Sequence, residues 1–299
     1  MSSSAAAPVP TGWHLWLAGA RPRTLPAAVA PVLVGAAVAT HSPDPVWWRA
    51  PGALVVALAL QVGVNYANDY SDGVRGTDVD RVGPLRLTAS GAARASSVRT
   101  AAVVSFAVAA AVGLLLSLVV SPWLLLVGVA ALAAGVLYTG GPRPYGYSGL
   151  GELMVLVFFG YVATVGTTYV VAEEIPAAAW WGATGVGLLA AALLLANNIR
   201  DIGTDTSAGK HTLAARVGDR AARVLYAACL AGGVLAAVPL AWTSPWALMA
   251  LVAGIPAGAL ARVVARAHTP HDLIPALAGT GRVQLLWSAL AACGLAVGS

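Results

Sequence analysis

Apolar residues run through this chain in blocks of roughly 17–25, the length a helix needs to cross a hydrocarbon core of about 30 Å. Polar connections separate the blocks, which predict spans at 23–40, 51–67, 97–119, 122–139, 150–172, 178–198, 221–241, 244–264 and 281–298. The alternating segments of about 10 residues that build outer-membrane barrels are not seen. Composition agrees: 59% of the 299 residues are hydrophobic and only 10% are charged, against about 25% charged in a soluble domain. The expected fold class is therefore all-α, a polytopic bundle of about nine transmembrane helices in the lipid bilayer.

Basic residues orient the bundle, because cytoplasmic flanks carry the Lys/Arg excess. With the N-terminus inside, Arg21, Arg23, Arg75, Arg81, Arg86, Arg94, Arg99, Arg143, Arg200, Lys210, Arg216, Arg220, Arg223, Arg262, Arg266 and Arg282 fall on one side. Arg49 alone falls on the other, with Asp44, Glu173 and Glu174. The split predicts an N-in, C-out topology with a cytoplasmic segment at 1–20 and one transmembrane domain at 21–299. It also accounts for the net charge of +5 as an orientation signal, so no nucleic-acid partner is expected. The first twenty residues have no basic n-region and no long apolar core, so no cleaved signal peptide is expected. Cys229 and Cys293 read as small core residues. Tryptophans near the span ends, such as Trp47, Trp123 and Trp242, fit interfacial belts.

Connections on the outer side are short, whereas two inner ones run to about thirty and twenty residues and hold most of the polar chemistry. The first begins with NYANDYSDGVRGTD, Asn65 to Asp78; the second begins with ANNIRDIGTDTSAGKHT, Ala196 to Thr212. Aligning Asn65 with Asn197 sets Asp69 against Asp201, each four residues on and on one helical face. Asp72 and Asp205 continue those faces. The match suggests a duplicated four-helix unit, 21–139 and 150–264, with one extra C-terminal helix. Carboxylates concentrated in this way repel unless cations lie between them. With oxygen ligands alone, the implied metal is Mg²⁺, which joins one or two carboxylates to substrate phosphates.

Arg75, Arg81, Arg200 and Lys210 stand beside the clusters, as a diphosphate would require. Asn68 and Asn198 add amides next to the carboxylates. Asp78, Asp80 and Asp219 read as solvated loop residues, and Arg94, Arg99, Arg220 and Arg223 as topology signals. Arg21 and Arg23 in RPRTLP admit two readings, membrane anchoring or contact with the site. The segment GGPRPYGYSGLGE places Tyr138, Arg143, Tyr145, Tyr147 and Glu152 at the same membrane face, where tyrosine rings would shield a cation and Glu152 would orient a hydroxyl or take a proton. Turn chemistry with interfacial tyrosines explains the segment equally well.

NDYSD at Asn68 to Asp72 and RDIGTD at Arg200 to Asp205 resemble the two Asp-rich signatures of the UbiA superfamily of intramembrane prenyltransferases. The third aspartate that many members carry in the first signature is absent; Gly76 stands there. Together with DRVGPLRL, YTGGPRPYGYSGLGE, NNIRDIGTDTSAGKHTLAARVG and the ARPRTLPAAVAPVLVG start, the pattern is similar to the branch that uses 1,4-dihydroxy-2-naphthoate as acceptor. The resemblance spans nearly the whole chain. It implies a multi-pass protein of the bacterial cytoplasmic membrane that uses Mg²⁺ and a polyprenyl diphosphate. It further implies metal ligation by Asp69, Asp72, Asp201 and Asp205, with Asn65, Asn68 and Asn197 in the catalytic constellation. A sibling acceptor such as 4-hydroxybenzoate is the alternative within the family. Secondary transport is the alternative outside it, although transporters place such groups near the bilayer midplane.

Overall fold

A computed structural model describes residues 10–76 and 85–298, and among these every regular element is a helix or helical turn. The chain is helical before the first expected span. Trp13–Ala20 (α1) ends at Arg21, a three-residue turn follows at Pro22–Thr24, and Pro26–Ala39 (α2) leaves at a bend of 54°. Proline explains the break, since its missing N–H and fixed φ suit a helix start and oppose a helix interior.

The longer helices that follow are Arg49–Arg75 (α3), Ala95–Val119 (α4), Trp123–Leu137 (α5), Gly151–Ala172 (α6), Ala177–Arg200 (α7), Asp219–Leu240 (α8), Pro245–Arg266 (α9) and Pro270–Val297 (α10). Among the described residues, seven helices are long and apolar enough to cross a membrane, or up to eight with the bent α1–α2 pair. The multi-pass helical architecture is thus present. The 15 residues of α5 reach only about 22 Å at 1.5 Å per residue, so the fourth expected span is short of the full thickness. The last helix begins at Pro270, not at 281: a reciprocal Thr269–Asp272 capping box with proline at its start nucleates it. Arg282 consequently sits on that helix instead of in the connection before it.

The spine is α7, with 67% of its apolar window buried, packed on α2, α6, α8 and α10. Small residues permit the approach. A Cβ on Gly185 would fall 2.2 Å from the Trp287 ring, so α7 and α10 meet only because that position carries no side chain. The core around it draws on Val34, Val186, Leu189, Tyr226, Leu230 and Trp287.

On the other side of α7 the packing is open. Helix α3 pairs with α4 along its length, and between this pair, α5, α2 and the α6–α7 wall lies a cavity of about 600 Å³. It runs from Asp72 near the end of α3 to Ala53 near its start, nineteen residues or about 28 Å of helix. Leu114, Leu125 and Val129 line it yet are exposed, so it reaches the lateral surface along α4 and α5. Arg49 ties its far end: Nη1 donates to Val170 O at 3.2 Å and to Glu173 Oε1 at 2.6 Å, and Nη2 to Val119 O at 3.4 Å.

Candidate active site

The polar end of the cavity starts with helix periodicity. Gln61, Asn65, Asn68 and Asp72 recur at intervals of four, three and four on α3, so they share one face, and all four line the cavity. Gly76 then ends the helix in the left-handed conformation at φ 72°, its N–H meeting Asp72 O and Gly73 O. Asp69 falls one position past Asn68 and faces elsewhere. Its Oδ2 accepts the Leu87 N–H and its Oδ1 the Thr88 N–H, both at 2.8 Å, and the side chain is fully buried. The expectation that Asn65 and Asp69 present one common face to a ligand is therefore not met; Asp69 docks the returning chain at Leu87–Thr88 onto α3.

Asn65 binds the α1–α2 break through Nδ2, which donates to Ala20 O and Thr24 Oγ1 at 2.9 Å each. Asn68 Oδ1 accepts the Thr139 hydroxyl at 2.7 Å. Asp72 Oδ1 accepts the Tyr147 hydroxyl and lies 3.3 Å from Lys210 Nζ. That contact joins the two Asp-rich segments directly, although Lys210 lies 138 positions after Asp72 in the chain.

The second segment starts at the end of α7. Arg200 grips its neighbour Asp201 bidentately, Nε to Oδ1 at 2.6 Å and Nη2 to Oδ2 at 2.7 Å, with both side chains buried. Asp205 follows on the short helix Ile202–Ser207, and its carbonyl accepts the Lys210 N–H at 2.7 Å. Gly209, at φ 71°, reverses the chain so that Lys210 points back toward Asp72. Asn197 Nδ2 donates to Leu193 O at 3.1 Å, and Asn198 Nδ2 to Glu152 Oε1 at 2.8 Å.

The connection between α5 and α6 closes the third side. Tyr147 lies under two cations, with Lys210 Nζ 4.7 Å and Arg75 Cζ 5.6 Å from its ring centroid. Tyr138 and Tyr145 meet edge to face at 5.4 Å. The Tyr145 hydroxyl donates to Ala134 O at 2.8 Å, and burial pushes its pKa up to about 12, so this ring stays neutral.

The cavity thus gathers Asn65, Asn68, Asp72, Tyr138, Tyr145, Asn197, Asn198, Arg200, Asp205 and Lys210. Other anticipated residues lie outside its lining. Asp69 and Asp201 are committed as described, and Arg75 spends Nη1 and Nη2 on the carbonyls of Thr139 and Gly141 at 2.5 Å each. Arg143 is exposed to solvent, and Glu152 stands behind Asn198. Arg81 lies outside the described residues. Arg86, one of the orienting arginines by sequence, lines the mouth as well, and so does Tyr147, which no sequence signal separates from Tyr145. Among the described residues no three His, Cys, Asp or Glu side chains converge as a metal cage. Asp72 and Asp205 at the mouth instead match the Mg²⁺ pattern of one or two carboxylates completed by water and substrate phosphate.

Comparison with known proteins identifies the family of the chain. A model of the UbiA prenyltransferase family matches residues 28–297. The 1,4-dihydroxy-2-naphthoate octaprenyltransferase of Mycobacterium tuberculosis is 50% identical over 95% of this chain and 97% of its own. Its Escherichia coli counterpart is 38% identical over 94% of each. Among solved structures, a UbiA homolog from Archaeoglobus fulgidus bound to GPP and Mg²⁺ superposes with a TM-score of 0.61 at 15% identity, covering 94% of this chain and 99% of that one. An apo UbiA homolog from Aeropyrum pernix gives 0.64 at 17%, covering 91% and 97%. At these identities the two structures speak for the fold.

Proposed function

Since the chain belongs to the UbiA prenyltransferase family, we propose that it transfers a polyprenyl group from its diphosphate to 1,4-dihydroxy-2-naphthoate, with loss of carbon dioxide, in menaquinone biosynthesis. One observation carries the reading: both Asp-rich segments meet through Asp72 and Lys210 at the mouth of an otherwise apolar cavity. A polyprenyl tail is soluble only in lipid and its diphosphate only in water, and this cavity offers both environments end to end. The tail extends along α3 toward Ala53 or leaves sideways past Leu114, Leu125 and Val129.

Asp72 and Asp205, with Asn68, would hold Mg²⁺, which when bound draws negative charge off the diphosphate. Lys210 and Arg86 add cationic charge at the same end and stabilise the leaving group as its charge develops. The C1–O bond breaks with its electron pair going to the diphosphate. The ring carbon bearing the carboxylate then attacks the allylic C1, with Tyr138 and Tyr145 shielding the cation and the apolar walls excluding water. Finally the bond to the carboxylate breaks, its pair restores the aromatic ring, and carbon dioxide departs. No ring proton has to be removed at that carbon, which suits a cavity whose nearest glutamate, Glu152, works through Asn198.

In this reading α1–α2, α5 and the seven longer helices make nine crossings, N-in and C-out, in a bacterial cytoplasmic membrane with the mouth facing the cytoplasm. The Lys/Arg asymmetry supports that orientation. The halves 21–139 and 150–264 are repeats of one unit, each supplying one Asp-rich segment, and α10 is the added helix. The test is transfer by the purified protein in nanodiscs from labelled polyprenyl diphosphate, with Mg²⁺ or EDTA. Lipid product from the naphthoate, absent with EDTA, is the expected result. Transfer to 4-hydroxybenzoate alone would move the chain to a sibling acceptor, and no transfer to either would refute the reading.

A further inference from the structure

The cations at the mouth are engaged: Arg200 with Asp201, Lys210 with Asp72, and Arg86 with partners of its own. Arg21 is different. It lines the cavity beside Thr24 and Asn65, yet its Nε and Nη2 are buried without a hydrogen-bond partner. A buried guanidinium that satisfies only part of its fork is costly, and in a native protein it calls for an explanation.

Its backbone asks the same question. Arg21 stands at φ 53°, a left-handed conformation that non-glycine residues seldom adopt and that concentrates at functional sites. The surroundings hold it there: Asn65 donates to Ala20 O on one side and to Thr24 Oγ1 on the other, and Gln61 Nε2 reaches the same hydroxyl at 3.0 Å. Two amides of α3 thus brace a strained turn that aims one arginine into the cavity.

We infer that Arg21 binds the carboxylate of the aromatic acceptor and so sets which ring carbon faces the prenyl cation. The inference rests on the proposed reaction. A planar guanidinium pairs with a carboxylate through two parallel hydrogen bonds, which fixes orientation as well as position. The level of Asn65 lies seven residues, or about 10 Å, along α3 from that of Asp72. A guanidinium–carboxylate pair, the ring carbon that bears the carboxylate, and the C1–O–P linkage together span a distance of that order. An oxyanion of the diphosphate is the other chemistry that fits a free arginine, and the test separates the two.

Equilibrium binding of 1-hydroxy-2-naphthoate and of 1-naphthol, read by their own fluorescence in EDTA, compares a ring with and without the carboxylate. Wild-type protein is expected to favour the acid by tenfold or more. Arg21→Gln abolishes that preference, and Arg21→Lys, which keeps the charge and loses the fork, retains part of it. In the transfer assay Arg21→Gln raises the acceptor KM at least tenfold while the KM for polyprenyl diphosphate stays within twofold. An unchanged acid-to-naphthol ratio would overturn the inference, as would a rise confined to the diphosphate KM. Thermal unfolding of both variants identifies a folding defect, in which case the Arg21→Lys ratio decides. Wild-type protein that transfers to no naphthoate would refute the proposed reaction first and separately.

Discussion

Replacing Asp69 separates two roles for the first Asp-rich segment. In the structure this carboxylate is buried and accepts two backbone N–H groups, from Leu87 and Thr88, at 2.8 Å each. Hydrogen bonds to a charged group contribute about 1.5–3 kcal/mol each, and a buried donor left without a partner costs about 1–3 kcal/mol. Asp69→Asn keeps one acceptor and forfeits the charge, for a loss of roughly 2–3 kcal/mol; Asp69→Ala unpairs both donors, for roughly 3–5 kcal/mol. At a few degrees per kcal/mol, the alanine variant should unfold roughly 8–15 °C lower. Circular dichroism in detergent measures the drop, which should be the same with Mg²⁺ and with EDTA. The surviving activity of Asp69→Asn should show an unchanged half-saturating Mg²⁺ concentration. A wild-type unfolding temperature together with a tenfold higher Mg²⁺ requirement would put Asp69 on the metal and refute the structural role.

Two further variants probe the mouth. Lys210→Met keeps the aliphatic stem and removes the charge, so the KM for polyprenyl diphosphate should rise about 10- to 100-fold, the equivalent of one charge-assisted hydrogen bond; steady-state kinetics at saturating acceptor read it. Tyr147→Phe retains the ring beneath Lys210 and Arg75, whereas Tyr147→Leu also removes a cation–π contact of about 0.5–2 kcal/mol. The leucine variant should therefore lose more kcat/KM than the phenylalanine one, and equal losses would assign the whole effect to the hydroxyl.

Much of the fold could be read from the sequence because apolar block length is a direct consequence of bilayer thickness: seven of the expected ranges coincide with apolar helices within about three residues at both ends, and 51–67 and 281–298 do so at one end. The departures have local causes. RPRTLP looked like a flank because two prolines interrupt it, and the helix before it carries a single turn or two of apolar residues. HTPHDLIPALAGTGR looked like a connection because its charges mask a capped helix start. In the site, spacing located the polar segments but chose the wrong helical face. An interval of four joins Asn65 to Asp69, yet 65, 68 and 72 form an equally good stripe, and only the docking of Leu87 and Thr88 decides between them. The bidentate pairing of Asp201 with its neighbour Arg200 is likewise invisible in the sequence, because spacing says nothing of a side chain folding back on the next residue. Arg86 looks like one more topology arginine until the cavity wall is built, and the wall decides between the two readings of Arg21 by placing it in the lining.

The central claim is that the two Asp-rich segments form one site, and a double-mutant cycle on Mg²⁺-dependent prenyl transfer tests it most directly. Asp72→Asn, Asp205→Asn and the double variant would be assayed for kcat with saturating 1,4-dihydroxy-2-naphthoate. Groups that act as a unit give strongly non-additive losses. The account predicts that each single change lowers kcat by two orders of magnitude or more, and that the double variant is scarcely worse than the poorer single one. Losses that multiply, or an Asp205→Asn enzyme with near wild-type activity, would contradict it.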